Sequence, residues 1–188
     1  MSTPLELTVT VFSCSLSVDS LSRRLAQEVE VVLRGLGVGT TLIDLREWDL
    51  PLCDGGSSYS HGSVKPLSEL IANSSAVLLT SPVYNYDLNA ATKNLVEMTG
   101  SAWNDKPVGF LCSAGGCNSY MSPIGLANSL MFDFRSLIIP RFVYATKDDF
   151  TADGQLTETV HARVKELAHA TVDLARALNS LKSEKKIT

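Results

Sequence analysis

Leu5, Leu7, Val9 and Val11, with Thr8 and Thr10 between them, form a β-branched run that stops at the Ser-rich stretch 13–22. This is the pattern of a strand running into a loop. Leu21, Leu25, Val29, Val32, Leu33 and Leu36 then recur at helical spacing, and Gly35 and Gly37 follow as stop signals, so a helix comes next. Residues 40–45 predict a second strand and 76–81 (AVLLTS) a third, whose near-unbroken apolar character suits burial on both faces. Residues 107–113 and 137–145 supply a fourth and a fifth. Helical patterns occupy 64–73, 88–99, 119–134 and 157–181. The last places Val160, Val164, Leu167, Thr171, Leu174 and Leu178 on one face.

Strands alternating with helices predict an α/β fold with an open, doubly wound parallel sheet, because each crossover helix must bury its apolar stripe against the sheet. An eight-stranded barrel needs more units and typically ~250 residues. No repeat or linker divides the chain, so residues 1–181 read as a single domain and 182–188 as a frayed basic tail. The segment 46–62 is long and turn-rich, a composition common in functional or mobile loops.

Composition narrows the classes. Of 188 residues, 45% are apolar and 19% charged, so most of the chain should fold. It contains no 20-residue apolar span, which argues against a membrane segment. A net charge of −4 argues against a nucleic-acid partner, which would need a clustered basic face. Lys182, Lys185 and Lys186 stand beside Glu184 and read as a solvated end. Cysteines 14, 53, 112 and 117 form no CxxC pair, which removes support for a zinc ribbon or a thioredoxin-like site and fits a cytoplasmic chain with reduced thiols. Walker, GxGxxG and GxSxG motifs are absent. Asp148 and Asp149, before an Asp153-Gly154 turn, read as a solvated loop.

In open α/β sheets ligands bind beyond the carboxyl ends of the strands, which singles out three loops. The first carries Ser13, Ser15, Ser17, Ser20 and Ser22, with a helix starting near Ser20. Hydroxyls beside the free N–H groups of a helix start suit a phosphate monoester. The same residues also read as a plain N-cap, Asp19 or Ser20, followed by filler. In the second loop Pro82 restricts the backbone where the chain leaves the sheet, and in the third Gly115 and Gly116 permit close approach.

The second loop, SPVYNYDLNAATKNLVE, resembles the NAD(P)H-dependent FMN reductase family of flavodoxin-like proteins at Ser81, Pro82, Tyr84, Asn85, Lys93 and Asn94. Ser15, Ser17, Ser20 and Ser22 fall at the Ser, Arg, Ser and Asn positions of that family's first loop. Lys106, Pro107 and Val108, followed by Ser113, Ala114, Gly115 and Gly116, match its third. Ser17 thus replaces a common arginine and Ser22 an asparagine. Tyr86 stands for a common glycine, and Asn89-Ala90 for a common Pro-Gly.

The resemblance implies a flavodoxin-like sandwich, a five-stranded sheet in the order 2-1-3-4-5 with helices on both faces. It implies FMN as cofactor, NADPH or NADH as electron donor, and a small-molecule acceptor such as free flavin or a quinone. The flavin would carry the chemistry, so no catalytic side chain is implied. Ser13, Ser15, Ser17, Ser20 and Ser22 would face the phosphate. Pro82, Val83, Tyr84 and Asn85 would flank one side of the ring, and Ser113, Gly115 and Gly116 the other. A homodimer or homotetramer is implied too, with Met98, Trp103, Met121 and Met131 as apolar residues one small domain leaves uncovered. A flavodoxin-like electron-transfer or binding protein without reductase turnover is the alternative.

Overall fold

The structure, a computed structural model, describes residues 7–185, and side chains through residue 181. Twelve main elements follow the expected alternation: β1 (Thr8–Ser13), α1 (Leu21–Gly35), β2 (Gly39–Asp44), α2 (Val64–Asn73), β3 (Ala76–Tyr84), β4 (Asp87–Leu88), α3 (Ala90–Thr99), β5 (Pro107–Ala114), α4 (Ile124–Phe134), β6 (Leu137–Ile138), β7 (Val143–Thr146) and α5 (Glu158–Lys185). The main parallel path runs β2-β1-β3-β5 and ends on β6 and β7, both paired with β5. Counting the parallel strands in chain order, this is the expected 2-1-3-4-5.

The strands that read as apolar runs are the buried ones. Every residue of β5, and all of β3 except Tyr84, is buried, as strands covered by helices on both faces must be. Strand alternation sends neighbouring side chains to opposite layers. Phe12, Leu79 and Phe110 join α2, α3 and α4 through Leu67, Ile71, Leu95 and Leu130. Val11, Leu78 and Leu111 join α1 and α5 through Leu25, Val29, Val164 and Leu167. Gly109 of β5 leaves room for Leu78 and for Leu167 of α5. A Cβ there would stand 2.6 Å from Leu78 Cδ2 and 3.0 Å from Leu167 Cδ1.

Three elements differ from the sequence reading. The fifth strand is split in two. Between the pairs Val108–Ile138 and Leu111–Val143, two residues of β5 face four of the edge strand. Pro140 sits in that bulge, where it has no N–H for the ladder, and the Arg141 N–H turns back to the Ile139 carbonyl instead. Helix α4 begins at Ile124, after Pro123 and a short turn at Cys117–Ser119. A proline cannot supply the N–H that an earlier start would need, whereas it is well tolerated where a helix begins. Helix α3 begins at Ala90, because Leu88 is taken by an antiparallel pairing with Val83. The last helix reaches Lys185, past the end read from sequence, and residues 186–188 of the expected tail lie outside the described residues, as does Leu5 of the first strand.

Segment 46–62 is held by its own bonds. Asp54 accepts from the Ser58 hydroxyl and from the N–H groups of Gly56 and Ser58, and these bonds hold its carboxyl well below the usual carboxylate range. Asn94, on α3, fixes the start of the loop. Its amide donates to the Pro51 carbonyl and accepts from the Cys53 N–H, both at 2.9 Å.

Candidate active site

The three expected loops converge on one groove of about 210 Å³ at the carboxyl ends of β1, β3 and β5. Ser15, Ser17 and Ser20 line it from the first loop, Pro82, Val83 and Tyr84 from the second, and Ser113 and Gly115 from the third. Apart from the adjoining residues of the chain, no heavy atom among the described residues lies within 4 Å of where a Cβ on Gly115 or Gly116 would stand, so this wall leaves room for a flat ligand. A larger cavity, about 540 Å³, lies at the opposite end of the sheet among Thr8, Thr10, Glu69 and Asn73, away from every candidate residue.

Four of the named candidates stand behind or beside the groove. Ser13 is fully buried at the end of β1, and its hydroxyl has no partner among the described residues. Ser22 is buried with its hydroxyl 2.9 Å from that of Ser20. The Gly116 carbonyl accepts the Tyr144 hydroxyl. Asn85 and Tyr86 are the central residues of the β3–β4 hairpin, with φ of 52° and 64°, the left-handed pair that a two-residue hairpin of this type requires. Asparagine tolerates that conformation, whereas tyrosine carries a cost of about 1–2 kcal/mol. The turn holds Tyr84 and Tyr86 at the rim, 55% and 68% exposed.

The first loop is shaped from behind by Arg23. Ser20 caps α1 by accepting the Arg23 N–H at 3.2 Å. The guanidinium folds back and donates to the carbonyls of Ser17 and Val18 at 3.0 Å and of Ser15 at 3.2 Å. It also pairs with Asp44 at the end of β2, 2.8 Å away. In a trans peptide the C=O and the next N–H point in opposite directions. Drawing these three carbonyls toward Arg23 therefore turns the N–H groups of Leu16, Val18 and Asp19 away from it. Among the described residues, none of these three N–H groups has a hydrogen-bond partner. Unpartnered N–H groups gathered beside a helix start form an anion cradle, so the loop fits the phosphate end of a mononucleotide.

Asp44 anchors this clamp. Burial raises its pKa, but hydrogen bonds from Arg46 and Arg23 outweigh that and leave it below the ordinary carboxylate value. A depressed carboxylate contributes its stability in full above the unfolded value, near ~4, and loses it as the pH falls through the folded value. Asp44→Asn is expected to cost about 1–2 kcal/mol at neutral pH, a gap that closes on acidification below ~4. Urea unfolding at both pH values measures it. An equal gap at acid pH would mean that the carboxylate charge does not hold Arg23.

The loops are joined by Asn89, buried at the start of α3. Its amide donates to the Cys14 carbonyl at 2.8 Å, while its oxygen accepts from the Ser81 hydroxyl at 3.0 Å and from the Thr92 N–H at 3.2 Å. Burial pushes the thiols of Cys14 and Cys112 up to about 12, which keeps both protonated and unreactive. Two further side chains line the groove that the sequence reading did not assign to it, Asp19, weighed there only as an N-cap, and Lys147. Lys147 follows β7 in a turn closed by Asp149, whose carboxylate accepts from the Thr146 N–H and hydroxyl at 2.8 and 3.0 Å. The expected solvated loop is thus partly a capping device. No motif announces Lys147, because only the pairing of β7 with β5 brings it here.

The chain matches the family described as NADPH-dependent FMN reductase over residues 7–151. It is similar to an NADPH azoreductase of Bacillus sp. (strain OY1-2), 30% identical over 132 residues that make up 67% of this chain and 74% of that protein. Among solved structures it resembles FerB, a flavoenzyme NAD(P)H:(acceptor) oxidoreductase from Paracoccus denitrificans, with a TM-score of 0.73 and 24% identity, over 91% of this chain and 98% of that one. An oxidoreductase from Corynebacterium diphtheriae gives a TM-score of 0.72 and 19% identity over 90% and 96%. These two likenesses carry the flavodoxin-like fold, and the family match spans all three loops of the groove. The chain belongs to the NADPH-dependent FMN reductase family, with FMN and NAD(P)H as its cofactors.

Proposed function

We propose that the groove holds FMN, and that the chain passes reducing equivalents from NADPH or NADH through it to free flavin, a quinone or a similar small acceptor. Bound flavin supplies the hydride chemistry, accepting from the nicotinamide and giving to the acceptor. The observation that carries this reading is the convergence of three loops around one groove, with unpartnered N–H groups at one end and an open glycine wall at the other. The Leu16, Val18 and Asp19 N–H groups and the Ser15, Ser17 and Ser20 hydroxyls bind the phosphate. With Ser22 as the donor in its hydroxyl pair with Ser20, the Ser20 proton is free to face the phosphate. Pro82, Val83, Tyr84 and Asn85 flank the ring on one side, and Ser113, Gly115 and Gly116 bond its polar edge on the other.

A groove of 210 Å³ is below the size that encloses a drug-sized ligand. One face of the ring therefore stays accessible to nicotinamide and then to the acceptor. We also place the chain in the cytoplasm as a homodimer or homotetramer. Met98 and Trp103, read from sequence as candidates for a subunit contact, are core residues, 2% and 0% exposed. The support comes instead from Met121, Ile124, Met131 and Phe132 on and before α4, which are 63%, 52%, 43% and 81% exposed and form an apolar stretch fit for another subunit.

Titration with FMN, followed by anaerobic addition of NADPH or NADH and then of flavin, quinone or azo acceptors, tests the reading, with light scattering on the same sample. The expected result is saturable FMN binding, bleaching of the flavin band on the catalytic timescale and a mass above that of one chain. Absence of FMN binding would overturn the site. Binding without bleaching would make the protein an electron carrier.

A further inference from the structure

We infer that Lys147 is the cation that pairs with the phosphate of the bound flavin, in the role left open by serine at position 17. The inference rests on the FMN reading above. The groove's anion end carries a carboxylate, Asp19, so a phosphate monoester entering it needs a positive side chain. Ser17 offers a neutral hydroxyl there.

Of the two arginines nearest the loop, Arg23 is committed elsewhere and Arg24 does not line the groove. Arg23 spends its donors on Asp44 and on the carbonyls of Ser15, Ser17 and Val18. Arg24 lies against Gly154, where a Cβ would stand 2.7 Å from its guanidinium carbon. Lys147 lines the same groove as Ser15, Ser17 and Ser20 and is exposed. It has no ion-pair or hydrogen-bond partner through its side chain among the described residues. Its backbone is fixed by the Thr146–Asp149 capping turn, which holds the stem at the groove while the ammonium stays free to move. A charge-assisted bond from an ammonium to phosphate is about twice as strong as a neutral one.

Fluorescence titrations of wild type, Lys147→Ala and Lys147→Arg with FMN and with riboflavin, at low and high salt, test this, alongside the KM values for NADPH and NADH. Lys147→Ala is expected to weaken FMN binding roughly tenfold at low salt. The loss should shrink at high salt, riboflavin binding should stay unchanged, and Lys147→Arg should retain FMN affinity. Because the side chain is exposed, thermal unfolding of the apoprotein should not move. Wild-type affinity for FMN in Lys147→Ala, or an equal loss for riboflavin, would overturn the inference while leaving the FMN site standing. An effect confined to the KM for NADPH would overturn it as well, by moving the lysine's partner to the nucleotide's 2′-phosphate. Failure of wild type to bind FMN would overturn both readings.

Discussion

Asn89→Ala is expected to destabilise the protein by about 2–4 kcal/mol, because it strands several buried groups at once. The Cys14 carbonyl loses its donor, the Ser81 and Thr92 hydroxyls lose their shared acceptor, and α3 loses its cap. Each unsatisfied buried group costs about 1–3 kcal/mol and a lost cap about 1. Small relaxations and water entry recover part of that total. Asn89→Asp keeps the acceptor and the cap but cannot donate to Cys14, so it should fall between the two. The same bonds tie the first loop to the second, so FMN affinity should fall in both variants, even where they are folded. Denaturant unfolding measures the first effect and flavin titration the second. A loss below about 0.5 kcal/mol in Asn89→Ala, the range of an ordinary surface change, would mean that Asn89 is not the hub of these loops.

Ser17→Arg is expected to tighten FMN binding by roughly 5- to 150-fold, the equivalent of about 1–3 kcal/mol. Serine gives up little at this position, since it is exposed and its hydroxyl makes one long bond, 3.4 Å to the Asp19 carbonyl. A guanidinium can meet the phosphate through two parallel N–H bonds, and the gain should be larger at low salt than at high. Pairing of the new arginine with Asp19 would absorb some of it, so Ser17→Arg with Asp19→Asn should bind more tightly still. Unchanged or weaker binding in both variants would mean that position 17 does not face the phosphate. Lys147→Ala combined with Ser17→Arg links the two proposals. An arginine at 17 should make the lysine largely dispensable if both serve one anion.

The architecture was legible in the sequence because it depends on local periodicity. The β-branched run before Ser13, the unbroken AVLLTS and the i, i+3, i+4 stripes from Leu21 and from Val160 specify strands and helices whose apolar surfaces fit together in few ways. The three loops were legible for a related reason. In a parallel sheet the loops after successive central strands lie at one end, so Ser15, Pro82 and Gly115 must come together once the alternation is granted. Pro140 and Pro123 stand in the sequence too, but the sequence does not say which breaks they make. What a missing N–H does depends on which neighbour would have accepted it.

Tertiary structure decided the rest. Asn94 and Lys106 belong to the sequence resemblance, yet both are staples in the fold. Asn94 holds Pro51 and Cys53, and the Lys106 ammonium donates to the carbonyls of Ala72 and Ser74 at the end of α2, where a helix favours positive charge. Nothing local to Arg23 names Asp44 as its partner, which the pairing of β1 with β2 brings beside it. Lys147 enters the groove through the pairing of β7 with β5. Each role is set by a partner distant in sequence, and a charge or an amide carries no periodic signal that would name that partner. The chain's local patterns determined the strands, the helices and the end of the sheet where the three loops gather, and the resemblance supplied the strand order. The close contacts between distant residues decided which side chains hold the site and which face it.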